Sequence, residues 1–326
     1  MMRQAGRSLP EYREIRAGRS FMELVHDPKL SAEVTLQPIR RFGMDAAVIF
    51  CDILVPAEAM GRSVSIVEGT GPIVEPPVRT RDDVESLNDF VPERDTAFLA
   101  EAMGLVRAEL GDERAMIGFC GAPFTLASYM VEGRSSRNYE RTKGMMLGEP
   151  ETFARLMERI VDNSIPYLEL QAEASADALQ IFDSWGGALD EATWRTFIFP
   201  HVARLVEAAK GTGKPVILYV NNGGHLLEAM ADTGADVLSL DWRVTAKDAI
   251  ARVGDRCAFQ GNLDPTILFS TPAVVKREVR HVIDSFAGAA GHIYNMGSGI
   301  LPTTPLENTT AHWEEVLRDV TPGASA

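Results

Sequence analysis

Residues 150–187 read PETFARLMERIVDNSIPYLELQAEASADALQIFDSWGG, and this stretch carries the fold in miniature. Residues 150–174 place apolar side chains at helical spacing, which predicts an amphipathic helix. The short apolar run ALQIFDS (178–184) then predicts a strand that ends on polar residues. Working outward, the same alternation recurs. Strands are predicted at 45–52, 115–121, 215–221, 237–242, 257–262 and 292–297, and further helices at 95–110 and 199–213. Helices between strands imply parallel pairing through crossovers, and near-continuous apolar strands imply burial on both faces. Seven strands are visible, one short of the eight of a barrel. The chain begins at MMRQ, where an earlier first strand would be ending. The segment PPVRTRDDVESLNDF (76–90) reads as an excursion between strands, and no linker or repeat divides the chain. The expectation is an α/β fold: one (β/α)8 TIM-type barrel over residues 1–326 with a truncated first strand. A doubly wound sheet is the second choice.

The predicted strands end on small or polar residues: Asp52, Gly121, Asp183-Ser184, Asn221-Asn222, Asp241, Gln260-Gly261-Asn262 and Asn295. Such residues cap helices and mark strand ends wherever they occur. In a barrel they also converge on the carboxyl-terminal rim, where active sites are assembled.

Composition narrows the function. With 326 residues, 45% hydrophobic and 24% charged, the chain can bury a large core without staples. Cys51, Cys120 and Cys257 lie far apart in or beside apolar runs, which points to reduced, buried thiols. No Cys-x-x-Cys, His-x-Cys or His-Glu-x-x-His spacing occurs, so no metal is expected. The start has no signal-peptide pattern, and no apolar run approaches a membrane span. A cytoplasmic protein is expected. A net charge of −14 disfavours nucleic acid and anionic membranes as partners.

Against that charge, the first nineteen residues carry five arginines and two glutamates. Arg3 and Arg7 flank Gln4-Ala5-Gly6, whose backbone N–H groups could also face an anion, and guanidinium suits bidentate grip on carboxylate or phosphate. Pro10 starts a short helix in which Arg13 could pair with Glu11 or Glu14, while Arg16 could return to the pocket of Arg7. A solvated basic terminus is the alternative. Asp52 follows one apolar run and precedes another, as a cap or as a charge placed at a pocket floor. Tyr129 sits where the loop after 115–121 turns into a helix, either donating to a ligand or packing in a core. Ser184 reads as a hydrogen-bond donor, and His201 and His225 as structural or surface residues. Gly297 and Gly299 around Ser298 permit close backbone approach to a ligand, or form a plain turn.

Taken together, MRQAGRSLPEYREIRAG (2–18), DAAVIFCDIL (45–54), GAPFTLASYMVEG (121–133), FDSWGG (182–187), QGNLDP (260–265) and GILPTTPLEN (299–308) resemble the uroporphyrinogen decarboxylase family. The resemblance runs from residue 2 to about residue 310. It implies a homodimer that removes CO₂ from the four acetate side chains of uroporphyrinogen, a tetrapyrrole, giving coproporphyrinogen without a cofactor. It further implies that Arg3, Gln4, Ala5, Gly6, Arg7 and Arg16 contact substrate carboxylates, that Asp52 receives the pyrrole N–H groups, and that Tyr129 and Ser184 bind carboxylates at the rim. The proton donor is then Arg3 or a bound water. Three departures stand out. The family has more residues before the arginine motif, so either the start lies upstream or the first strand is cut short. It has tyrosine where this chain has Ser8, and histidine where this chain has Ser298. Serine can donate one hydrogen bond to a carboxylate but carries no positive charge, which predicts weaker binding. Rival readings are a tetrapyrrole-binding homologue with impaired catalysis, a barrel enzyme acting on another polyacid, and a zinc-dependent methyltransferase of the same superfamily. The last needs a His-x-Cys pair, and Cys257 has Asp255 in the first of those positions.

Overall fold

The computed structural model describes residues 8–67 and 69–318. Its strands are β1 (Ala46–Val48), β2 (Ser63–Val67), β3 (Gly71–Glu75), β4 (Ala115–Gly121), β5 (Ala178–Asp183), β6 (Val216–Val220), β7 (Val237–Ser239), β8 (Ala258–Leu263) and β9 (His292–Met296). Seven of them form one parallel sheet in the order β1-β4-β5-β6-β7-β8-β9. These are the seven strands expected from the apolar runs, each within a few residues of its expected bounds. Burial explains their legibility: all five residues of β6, VILYV, are buried, as a strand covered on both faces requires.

The sheet curls. Gln260 Nε2 on β8 lies 3.4 Å from Gln180 Oε1 on β5, and the Tyr219 hydroxyl, one residue from the end of β6, lies 3.1 Å from the Gly297 carbonyl just past β9. Each pair spans three strand steps, which a flat sheet would hold roughly 14 Å apart. Ile117, Ile217 and Val237, with Ala46, Val48, Ala178 and Ala258, form an inner apolar cluster drawn from six strands. Among the described residues the parallel sheet has these seven strands; an eighth is not among them.

Helices cover the outer face. Pro28–Phe42 precedes β1, Ala97–Leu110 precedes β4, and Pro150–Glu173 and Phe199–Gly211 flank β5. The first shows why such segments stop and start where they do. Asp27 caps it by accepting from Lys29 and Leu30 N–H at 2.9 and 3.0 Å, Pro28 opens it, and Gly43 closes it at φ 67°. Val34, Leu36 and Ile39 face inward.

The antiparallel hairpin of β2 and β3 was absent from the sequence expectation. Its signal is present in Ser63-Val64-Ser65-Ile66, which alternates polar and apolar residues, followed by Gly69 and Gly71 at positive φ. Val74 N–H donates to the Gly133 carbonyl at 2.9 Å, tying the hairpin to the C-terminal end of the helix Pro123–Glu132 that follows β4. The 76–90 excursion lies between β3 and β4 and contains the helix Arg81–Glu85.

Candidate functional site

The strand ends form a knitted rim, and two buried aspartates organise much of it. Asp183 closes β5 with no exposed surface. Its Oδ1 accepts from the Thr125 hydroxyl at 2.7 Å and from the Gly186 and Trp185 N–H groups at 2.8 and 3.3 Å. Burial raises its pKa, opposed by these donors. Thr125 in turn accepts from Ser184 N–H at 2.8 Å, which joins the helix after β4 to the loop after β5. The glycines of FDSWGG are required by contact. A Cβ on Gly186 would lie 2.1 Å from Asp183 Oδ2, and one on Gly187 would lie 2.2 Å from the Asn221 carbonyl oxygen.

Asp241, 2% exposed, does similar work two residues past β7. Oδ1 accepts from Arg243 N–H at 2.8 Å, and Oδ2 accepts from Asn222 N–H and from Arg243 Nη1. Asn222 holds a left-handed φ of 57°, a conformation its short polar side chain tolerates.

Asp52 differs in kind. It follows β1, is half-buried, and accepts from Leu54 N–H through Oδ1 at 2.9 Å. Behind it the buried Cys51 thiol lies 3.4 Å from the Tyr167 hydroxyl, and burial pushes that thiol up to about 12. Gly121, at the end of β4, lets Ile53 and Leu126 close in; a Cβ there would lie 3.2 Å from Ile53 Cβ and 3.0 Å from Leu126 Cδ2. The Asp52 turn therefore packs on the helix Pro123–Glu132 that carries Tyr129.

Tyr129 is buried, with its ring 5.9 Å from Trp185, and Tyr139 meets the same indole at 5.6 Å. Burial, with Tyr129 and Asp183 adding to it, raises the Tyr139 phenol. Tyr129, Tyr139 and Trp185 thus form an aromatic wall after β4 and β5, and half-buried Ser184 precedes Trp185 in the chain. Ser298 is half-buried directly after Gly297, whose carbonyl faces Tyr219.

Arg16 ends the helix Pro10–Arg16, which is pinned near the rim by the Tyr12–Phe50 ring contact and by Arg13 Nη2 donating to the Pro302 carbonyl at 3.1 Å. Glu11 of this helix is taken by Arg41 at 2.7 Å. The charge of Arg16 contributes to lowering the Glu23 carboxyl, which Ser20 lowers first. Among the described residues no hydrogen bond or ion pair joins Arg16 to Asp52, Tyr129, Ser184 or Ser298. Arg3, Gln4, Ala5, Gly6 and Arg7 lie outside the described residues.

His225 Nε2 bonds the Leu189 carbonyl at 2.7 Å, and burial lowers the His201 pKa, both consistent with structural roles. All three cysteines are free and buried. Among the described residues no three His, Cys, Asp or Glu side chains group as a metal site, and no helix is long and apolar enough to cross a membrane. Sequence reasoning passed over Thr125 and Arg243. Thr125 gave no signal, because its partner Asp183 lies 58 residues away; Arg243, two residues past a strand-end aspartate, offered a short-range one.

A family model described as uroporphyrinogen decarboxylase (URO-D) matches residues 1–318. The chain belongs to the uroporphyrinogen decarboxylase family. It is 49% identical over 308 residues to the uroporphyrinogen decarboxylase of Syntrophotalea carbinolica, covering 94% of this chain and 89% of that one. To the uroporphyrinogen decarboxylase of Streptomyces coelicolor it is 47% identical over 320 residues, covering 98% and 90%. Among solved structures it resembles a methyltransferase from Methanosarcina mazei, with a TM-score of 0.79 and 21% identity over 92% of this chain and 90% of that one. That likeness is one of fold alone. In this family member Cys257 is a buried thiol whose pKa burial raises, with Val253 O 3.6 Å away.

Proposed function

We propose that this chain converts the four acetate side chains of uroporphyrinogen III to methyl groups, giving coproporphyrinogen III and CO₂ in porphyrin and haem biosynthesis. The observation that carries the reading is identity of nearly half over more than nine-tenths of the chain to decarboxylases of that name. The finer features belong to the same proposal: a (β/α)8 barrel spanning residues 1–326, a cytoplasmic homodimer, and no metal or organic cofactor.

The substrate carries acids on its periphery and N–H donors at its centre, so its site needs opposite charges in two places. Arg3 to Arg7, Arg16, Tyr129, Ser184 and Ser298 take the carboxylates, and Asp52 accepts from the pyrrole N–H groups. Protonation of a pyrrole ring creates a cation. The bond between the acetate methylene and its carboxylate then breaks, CO₂ leaves, and the electron pair passes into that cation. A proton added at the methylene completes the methyl group and the ring gives up its own, so each acetate consumes one proton. Arg3 or a bound water supplies it. A fixed carboxylate beside the cation is stabilisation aimed at the transition state.

Anaerobic incubation with uroporphyrinogen III, followed by separation of seven- to four-carboxylate products, tests the reading. Four-carboxylate product is expected. Tight binding without turnover would replace the decarboxylase with a binding homologue.

A further inference from the structure

We infer that Arg243 is a carboxylate-binding residue of the rim, supplying positive charge between two neutral hydroxyls, Ser184 and Ser298. The inference rests on reading the rim as the site of a polycarboxylate. The turn that carries Arg243 is gripped from three sides. From β8, Asn262 Nδ2 donates to the Asp241 and Val244 carbonyls at 3.0 and 2.6 Å. From β6, Asn222 N–H donates to Asp241 Oδ2. From β9, Gly297 comes so close that a Cβ on it would lie 2.6 Å from Trp242 N, and Ser298 is the next residue. On the other flank the 221–222 backbone passes over Gly187, and Asn221 Nδ2 faces the Ser184 carbonyl at 3.4 Å. The 241–243 turn is therefore wedged between the loops that bear the two serines.

The guanidinium itself is held and still available. Its Cζ stands 4.1 Å from the centroid of the Trp242 ring, and Nη1 lies 3.1 Å from Asp241 Oδ2, while the side chain remains 47% exposed. Its other N–H groups have no hydrogen-bond partner among the described residues. Asp241 engages only Nη1 of the fork, and its oxygens also accept from the backbone N–H groups of Arg243 and Asn222. A stacked, tethered guanidinium loses little further freedom when it meets a carboxylate, and its fork suits two parallel hydrogen bonds. In a chain of net charge −14, a substrate rich in carboxylates needs such local cations.

The test uses the full chain as R243Q and R243K, with steady-state decarboxylation of uroporphyrinogen across a salt series. R243Q is expected to raise KM roughly tenfold or more, the loss of one charge-assisted contact. It should leave kcat within about twofold and flatten the fall of kcat/KM with salt; R243K, keeping the charge without the fork, should recover part of the loss. Parent-like KM and salt dependence in R243Q would overturn the inference. So would equal impairment of R243K accompanied by a fall in Tm, which marks a folding role. If the parent turns over no uroporphyrinogen, the decarboxylase reading fails by itself. Equilibrium binding of uroporphyrin then decides: weaker binding by R243Q than by the parent upholds Arg243, and equal binding overturns it.

Discussion

Asp183 closes β5 and Asp52 follows β1 by four residues in the same sheet, yet their surroundings differ. Asp183 is fully buried, and one of its oxygens accepts from a hydroxyl and two backbone N–H groups. Asp52 is half-buried, and its Oδ1 accepts from the Leu54 N–H at 2.9 Å. The first carboxylate is used to build the rim; in the function proposed above, the second faces the pyrrole N–H groups of the substrate. An aspartate after a strand is therefore read from its burial and surroundings, since residue type alone does not separate the two cases.

The sharpest way to break this contrast is Asp52→Asn. Asparagine can still accept from Leu54, so Tm should stay within a degree or two of the parent. Turnover should fall about 10²–10³-fold, by analogy with loss of a preorganised oxyanion-hole donor. Unfolding and rate assays on the same sample check both halves, and a large Tm loss with modest rate loss would make Asp52 a second structural aspartate. Replacing Thr125 by Val strips Asp183 Oδ1 of its hydroxyl donor and Ser184 N–H of its acceptor. That should cost about 1–3 kcal/mol in denaturant unfolding, with Thr125→Ser restoring most of it.

His312 sharpens the comparison from outside the rim. It is 1% exposed and bonded to the Tyr294 hydroxyl at 2.9 Å, and burial depresses its pKa to about 3. Because the folded value lies below the unfolded one, stability is intact above about pH 6.5 and falls as pH drops toward 3. Between pH 6.5 and 5 the loss through this group should be about 2 kcal/mol. Unfolding titrations of H312Q should show a shallower acid slope, because glutamine takes up no proton. The smallest effect is expected at the outer surface, where Arg40 pairs with Glu33 and Glu109 with side chains 40–46% exposed. Glu109→Gln should change stability by less than about 1 kcal/mol.

The parallel sheet was legible because burial on both faces writes itself as apolar runs, as in VILYV of β6. The long helix was legible through its periodicity, observed at Pro150–Glu173. Bonds between distant residues were not. Nothing local in Thr125 announces Asp183, and nothing in Gly297 announces Trp242. The paired strands β2 and β3 were missed for another reason, since their alternation is short and partly exposed beside the stronger core strands. Of the candidate site, Asp52, Tyr129, Ser184 and Ser298 come to strand ends or to the helix that starts there. The 3–7 stretch lies outside the described residues, and Arg16 shows its charge coupling to Glu23.

The strand order has a consequence for how the chain assembles. In the parallel sheet each strand after β1 pairs with the sheet strand before it in the chain, the β2–β3 hairpin being inserted between β1 and β4. Each crossover can thus add one strand to a growing surface without waiting for a distant partner, so loop-closure entropy is met in small instalments. The last amides to open should be those in the middle of that order, in β6 and its neighbours β5 and β7. Amide exchange would then decline from there toward either end of the series in unfolding free energy, a gradient along the sequence itself.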